Sequence, residues 1–345
     1  MTKEFTAAIE AAHRQIPFAL FAFPGSQDYQ FFANPNGELP GKPFFIINKW
    51  NVSFNGSLRI YEELDADAFL GNADQYPAQP CQSPLQTPST TRDDYLQKIT
   101  ALIDHLKERG GKTVFSRIIS EENITIDLMQ LLETQFSSFP ETFRFFYYIP
   151  QTGLWLGTSP ELLLDYDRET GCFSTMSLAG TRETVNTQWD DKNIDEQNMV
   201  ARFISDVLTS AGAQFTVQRC EDVCFKPVCH ICDLFTGTLK EDNCPELLNR
   251  LSPTPALSGF PVRTAIEEIS QLESHQRECY GGYVGYVTAA KLKCFVNLRS
   301  IKLTESGYCI FAGGGVTAHS VAEDEWKETE NKTMILRKNL AEATH

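Results

Sequence analysis

Apolar residues come in short runs over the first 75 positions, PFALFAF, DYQFFA, PFFIINKW and SLRIYEEL, parted by Pro, Gly and Asn, so this stretch predicts an antiparallel sheet. The residues before the first run, MTKEFTAAIEAAHRQ, predict a helix leading into a strand. Residues 76–92, YPAQPCQSPLQTPSTTR, are rich in Pro, Ser, Thr and Gln and read as a linker to a core over residues 93–340. The core opens with Leu96, Ile99, Leu102, Ile103 and Leu106 at helical spacing, and Gly110 and Gly111 end that helix. In the strand KTVFSRIIS that follows, Lys112, Val114, Ser116 and Ile118 share one face and Arg117 takes the other. FRFFYYIP and LWLGTS predict two more strands, and the turn GTSPELLLDYD sets Glu161 beside Leu162 to Leu164.

Over residues 194–209, Met199, Val200, Phe203, Ile204, Val207 and Leu208 form one apolar stripe, and Glu196 falls on it a turn earlier. Farther on, Pro261 fits the first turn of a helix whose Ala265, Ile266, Ile269 and Leu272 line one face. The strand CFVNLRS brings in Arg299, and YCIFAGGG ends on Gly313, Gly314 and Gly315. Ser320 followed by Glu323 reads as a capping box starting a helix near Val321, on which Glu325, Glu328 and Lys332 project from one side.

Composition narrows the choices. A chain of 345 residues with 42% apolar content and 24 Phe has the material for a large globular core. A net charge of -15 argues against nucleic acid or an anionic membrane as the main partner. No run nears the roughly 18 apolar residues of a membrane span, and the N-terminus lacks a signal-peptide cleavage site, so a cytoplasmic location is expected. Ten cysteines then suggest reduced thiols. Cys220, Cys224, Cys229, Cys232 and Cys244 crowd together, but only Cys229 and Cys232 form a CxxC and no matching pair follows, which argues against zinc. Residues 215–235 read instead as β-rich, where Cys acts as a small buried apolar residue.

An acidic protein holds an anion only through local cations or a metal. Glu196 on an apolar stripe must be paired, protonated or metal-bound, unless it merely complements a helix dipole. Glu328 is its natural companion on one divalent ion, and carboxylates without His or Cys favour Mg²⁺. Lys112 is either a solvated edge residue or a lysine in a cleft, where desolvation favours the neutral amine that acts as a base. Glu161 either faces water on its turn or sits in a pocket with a raised pKa, which suits a general acid. Gly313 to Gly315 either let the backbone aim its amides at an anion, with Lys332 near and Arg299 as a bidentate grip on a carboxylate, or make a plain turn into a solvated, charge-paired helix.

In order along the chain, KTVFSR, GTSPELLL, SLAGTR, DKNIDEQNMV, PTPALSGFP, RECYGGYVGY, NLRSI, AGGGVTAHS and EWKETENK resemble the chorismate-utilising enzymes, which include isochorismate, salicylate, anthranilate and aminodeoxychorismate synthases. The likeness covers about residues 95–340 and is closest to isochorismate synthases. Lys112 stands where water-using members carry their base and ammonia-using ones have Gln. Ala179 replaces the nucleophilic lysine of aminodeoxychorismate synthases. Ala256 and Leu257, with Glu278 in RECYGG, look like isochorismate synthase. Asn193 and Gln197 depart from the more usual Asp and His beside the metal acid.

The resemblance implies one α/β domain over residues 1–345 of the anthranilate synthase component I type, with two large antiparallel sheets packed face to face and helices outside. It implies that Lys112 activates water against C2 of chorismate while Glu161 protonates the departing C4 hydroxyl. Glu196 and Glu328 would hold Mg²⁺ on the ring carboxylate, and Arg299, Lys332 and the Gly313 to Gly315 amides would bind substrate, with His230, Ala256, Leu257 and Glu278 around it. The short chain without a signal fits a monomer, and its product would feed menaquinone or siderophore synthesis. A salicylate synthase, disfavoured by Ala256, and a silent chorismate-binding subunit, disfavoured by the intact base and acid, are the alternatives.

Overall fold

The computed structural model describes residues 2–76, 87–183, 188–225, 228–239 and 243–345. The chain begins with α1 (Lys3–Arg14), β1 (Phe18–Ala22), β2 (Gln30–Ala33), β3 (Phe44–Asn48), β4 (Leu58–Tyr61) and α2 (Ala66–Asn72). It continues with α3 (Arg92–Arg109), β5 (Lys112–Glu122), α4 (Leu128–Ser138), β6 (Phe143–Ile149), β7 (Gly153–Ser159), β8 (Leu162–Asp167) and β9 (Cys172–Arg182). Then come α5 (Asp191–Ser210), β10 (Gln214–Arg219), β11 (Val223–Phe225), β12 (Val228–Thr238), α6 (Cys244–Leu251), β13 (Gly259–Phe260) and α7 (Val262–Leu272). The last elements are β14 (Tyr283–Val287), β15 (Lys291–Val296), β16 (Ser300–Thr304), β17 (Gly307–Thr317) and α8 (Ala322–Glu342).

Among the described residues the strands form two antiparallel sheets, ordered β13-β5-β17-β16-β7-β6-β1-β2 and β10-β12-β9-β8-β15-β14-β3-β4, with β11 added beside β12. Their inner faces share one core: Phe21, Phe145, Tyr147 and Trp155 from the first sheet meet Phe45, Leu164, Tyr166 and Phe295 from the second. The other face of the first sheet, with Leu20, Phe146, Leu156 and Ile310, is covered by Phe5 of α1, Phe69 of α2, Leu132 of α4 and Leu336 of α8. A sheet buried on both faces has no polar face to alternate with, which explains unbroken apolar runs such as FRFFYYI.

The mixed α/β fold with two large antiparallel sheets agrees with expectation, but four local readings need correction. The N-terminal strands do not make a sheet of their own, since β1 and β2 extend one sheet and β3 and β4 the other. Residues 77–86 of the linker lie outside the described residues, but Ser89 and Thr90 hydrogen-bond along β5 at Ser120 and Ile118. Ser320 does not cap α8; its hydroxyl accepts from Thr317 N at 3.0 Å and the helix starts without a side-chain cap. The thiols are also not uniformly free, because Cys224 and Cys229 lie opposite each other across β11 and β12 and form a disulfide.

Phe143 and Phe295 lie parallel at 4.4 Å between ring centroids and couple the sheets directly. Phe143→Ala is expected to cost about 3–5 kcal/mol, read as a fall in the urea midpoint with the slope unchanged; a loss below about 1 kcal/mol would show that the sheets do not depend on this stack.

Candidate active site

Both helices that carry the key acids leave from strands meeting at one end of the sandwich: α5 follows β9, and α8 follows β17. Helix α5 is amphipathic, burying Val200, Ile204, Val207 and Leu208, and its stripe carries Glu196 inward at 9% exposure. The unusual neighbours Asn193 and Gln197 fasten it there. Asn193 Oδ1 accepts from Thr181 N at 2.7 Å, and Gln197 Nε2 donates to Ser177 Oγ at 2.7 Å and to Asp233 Oδ2 at 2.8 Å. Helix α8 is held to β5 by Arg117, which donates from Nε to Thr329 Oγ1 at 2.7 Å and stacks over Trp326 at 3.9 Å.

Gly313 to Gly315 do not form a turn. They lie inside β17, paired with Ser116, Phe115 and Val114 of β5, and their use is room. A methyl on Gly315 would collide with Glu196 Oε1 and with Lys112 Cε, while one on Gly314 would lie 3.0 Å from Glu325 Oε2 and 3.4 Å from Glu328 Oε1. Around this bare strand each acid has a lysine: Lys112 Nζ is 2.7 Å from Glu196 Oε1, Lys192 Nζ is 2.6 Å from Glu325 Oε1, and Lys332 Nζ is 2.7 Å from Glu328 Oε1. Lys332 also donates to Gly313 O at 2.9 Å. The Lys112 contact lies within ion-pair distance but lacks hydrogen-bond alignment, so it is electrostatic.

Glu161, Glu196, His230, Ala256, Leu257, Arg299, Gly313, Gly315 and Lys332 line one cavity, and Lys112, Gly314 and Glu328 stand directly against these residues. Glu278 is not with them. At φ 50° its carboxylate turns to Lys302, 2.6 Å away, beside a separate groove, while the neighbouring Tyr280 faces the cavity. Leu257 is held by Arg277, which donates to Leu257 O at 2.7 Å and to Val114 O at 2.8 Å. Tyr280, Thr181, Lys192 and Glu325 complete the surroundings. Lys192 lies one helical turn before Glu196, a spacing visible in DKNIDE.

Burial and charge set each group's state. Burial pushes the Glu161 carboxyl up to about 8, against the pull of Lys112 and the Thr254 hydroxyl, so it is protonated at neutral pH. Burial also opposes the charge on Glu328, but Lys332 and Lys192 outweigh it and hold the carboxyl below its usual range. Desolvation works against the Lys332 ammonium too, yet Glu328 and Glu196 raise it. Burial and the Glu328 charge push Glu325 up, and Lys192, 2.6 Å away, opposes them as its partner in a charged pair. Burial, with Arg299 and Lys332 nearby, drives His230 down to about 3. The ring is therefore neutral, its Nδ1–H donates to Gly180 O at 2.8 Å, and Nε2 is left as an acceptor. Burial lowers Arg299 to about 10, which leaves it a cation.

Among the described residues no three His, Cys, Asp or Glu side chains converge as a ready-made metal cage. Glu196 and Glu328 flank consecutive glycines, and Glu325 Oε2 is buried without a well-aligned hydrogen bond, though the Ser320 hydroxyl is a neighbour. Two carboxylates beside adjacent glycines fit an ion that takes its other oxygens from water and substrate, as Mg²⁺ does.

The sequence profile of chorismate binding enzymes matches residues 49–338. The isochorismate synthase EntC of Escherichia coli is 33% identical over 233 residues, which cover 63% of this chain and 59% of that protein, less than two thirds of its length. MenF, the menaquinone-specific isochorismate synthase of Escherichia coli, superposes with a TM-score of 0.76 at 19% identity, covering 97% of this chain and 91% of its own. Anthranilate synthase component I of Streptococcus pneumoniae superposes with a TM-score of 0.65 at 17% identity, covering 92% and 89%. At these identities the two structures speak to the fold.

The glycine strand makes a graded prediction. Gly315→Ala should lose about 1–3 kcal/mol of stability by overpacking against Glu196 and Lys112, and Gly314→Ala clearly less. Paired urea titrations check it, and equal losses would contradict the close fit at Gly315.

Proposed function

The chain belongs to the chorismate binding enzyme family, and from that premise we propose that it is an isochorismate synthase, a Mg²⁺-dependent isomerase that adds water at C2 of chorismate and releases the C4 hydroxyl. The observation that carries this reading is a buried lysine and a protonated glutamic acid in one cleft: Lys112 is fully buried against Glu196, and Glu161, at 1% exposure, lines the same cavity. A base for water and an acid for the leaving hydroxyl are what the isomerisation needs. Lys112, in its neutral form, takes one proton from water, whose oxygen bonds to C2; the double bonds shift, the C4 oxygen leaves as water with the proton of Glu161, and the proton on Lys112 returns to Glu161 through solvent. No atom is gained or lost overall, so the reaction runs both ways.

Glu196 and Glu328 would hold Mg²⁺, which would compensate the charge of the substrate's ring carboxylate. Arg299 and Lys332 supply fixed positive charge to an anionic substrate, and neutral His230 accepts a hydrogen bond from a hydroxyl. Ala179, where a lysine would form a covalent adduct, leaves water as the nucleophile. We take residues 1–345 as one working unit, since β1 and β3 are built into the two sheets. It would act as a cytoplasmic monomer on a diffusible substrate, its product serving menaquinone or catechol siderophore synthesis.

Incubation with chorismate and Mg²⁺, without an amine donor, should give isochorismate in a fixed ratio approached from either side. Salicylate and pyruvate would make it a lyase, and untouched chorismate a binding protein. Lys112→Ala should keep chorismate binding and lose at least about a hundredfold in turnover; normal turnover would remove the base assignment.

The state of Glu161 sets a pH dependence. Its folded value near 8 lies above the unfolded 4.5, so the folded chain keeps a proton that the unfolded chain releases, and its stability contribution is lost as pH rises from about 4.5 to about 8. Turnover toward isochorismate should fall above about pH 8 as the acid ionises. Glu161→Gln should be inactive yet gain in melting temperature over the parent as pH rises from 5 to 8. A melting difference that does not change with pH would show that Glu161 is ionised throughout.

A further inference from the structure

Resting on the metal site just proposed, we infer that Lys192 is a built-in counter-ion that withdraws Glu325 from that site, so that a divalent cation is gripped by two carboxylates rather than three. Glu325 and Glu328 leave the first turns of α8 on the same side, and both carboxylates face Gly314, at 3.0 and 3.4 Å from where its methyl would be. Glu325 is 1% exposed, so its charge cannot be left to water. Among the described residues its one well-formed partner is Lys192, which reaches across from α5 to place Nζ 2.6 Å from Oε1, while Oε2 still faces the glycine strand. Lys192 also lies close enough to Glu196 and Glu328 for their charges to favour its ammonium.

The pairings are not equivalent. Lys112 and Lys332 neutralise the two acids assigned to the cation and must yield them when it binds. Lys192 neutralises the third and has no such reason to leave. Affinity of an oxygen site for a divalent ion rises with its count of charged ligands. A third free carboxylate would tighten the ion and occupy a coordination position that the substrate's own carboxylate is meant to fill. Lys192 thus keeps the ion loosely held until chorismate supplies the remaining oxygens, and it is a positioning residue that never touches the substrate.

Calorimetric titration of the substrate-free protein with MgCl₂ alone tests this. Lys192→Gln should bind Mg²⁺ at least about tenfold more tightly than the parent, Lys192→Arg should match the parent, and adding Glu325→Gln to Lys192→Gln should remove the gain. Equal or weaker Mg²⁺ binding by a folded Lys192→Gln, checked by circular dichroism, overturns the inference. If that variant does not fold, the parent decides: Mg²⁺ should bind at least about tenfold more tightly with saturating chorismate than without, and equal affinities overturn the inference. A parent that takes up no Mg²⁺ with or without chorismate overturns the metal reading itself, and this inference with it.

Discussion

Three lysine–glutamate pairs are packed against one strand of glycines, and the need to keep those charges compensated organises this end of the molecule. An unpaired buried carboxylate is too costly to keep, so each acid fixes the position of a cation and each cation the position of an element. Lys112 ties the start of β5 to α5, Lys192 ties α5 to α8, and Lys332 ties α8 back to β17 through Gly313 O. Glycine at 314 and 315 is the condition for the arrangement, because a side chain there would occupy the space the carboxylates use.

Glu161 is treated in the opposite way. It is as buried as Glu325 and more so than Glu196 and Glu328, yet no lysine lies at ion-pair distance among the described residues, and desolvation therefore leaves it protonated. One cleft thus holds ionised acids compensated by lysines and one neutral acid able to donate. That division gives a carboxylate pair for a hard cation, a lysine whose partner a cation would compete for, and a proton donor across the cavity. The neutral His230, locked by Gly180 O, and the charged Arg299 add an acceptor and a fixed positive group without further titration near neutrality.

Much of the site was legible because a charge on an apolar stripe is hard to explain otherwise: Glu196 at helical spacing with Val200 and Ile204 pointed inward from the sequence alone. What depended on tertiary pairing was not legible. Lys192 and Glu325 are 133 residues apart, and their contact exists only because α5 and α8 begin at the same place. Three consecutive glycines read locally as a turn, but pairing along β5 kept them in a strand. The short apolar runs in residues 18–61 identified four strands but not that they would divide between two sheets, since a strand's partner is not written in its own pattern. Glu278 failed for a finer reason: its positive φ rotates its side chain to Lys302 and away from the cavity that Tyr280 faces.

In the proposed reaction Lys112 directs water to one carbon while Glu161 releases the hydroxyl at another. The most direct measurement is turnover of chorismate in water enriched in the heavy oxygen isotope, stopped within the first turnover and analysed by mass spectrometry and carbon NMR. Isochorismate carrying one solvent oxygen, at C2, is expected. Isochorismate with no solvent oxygen would contradict the proposed reaction, because the hydroxyl would then have moved within the substrate and the cleft would have no use for a base acting on water.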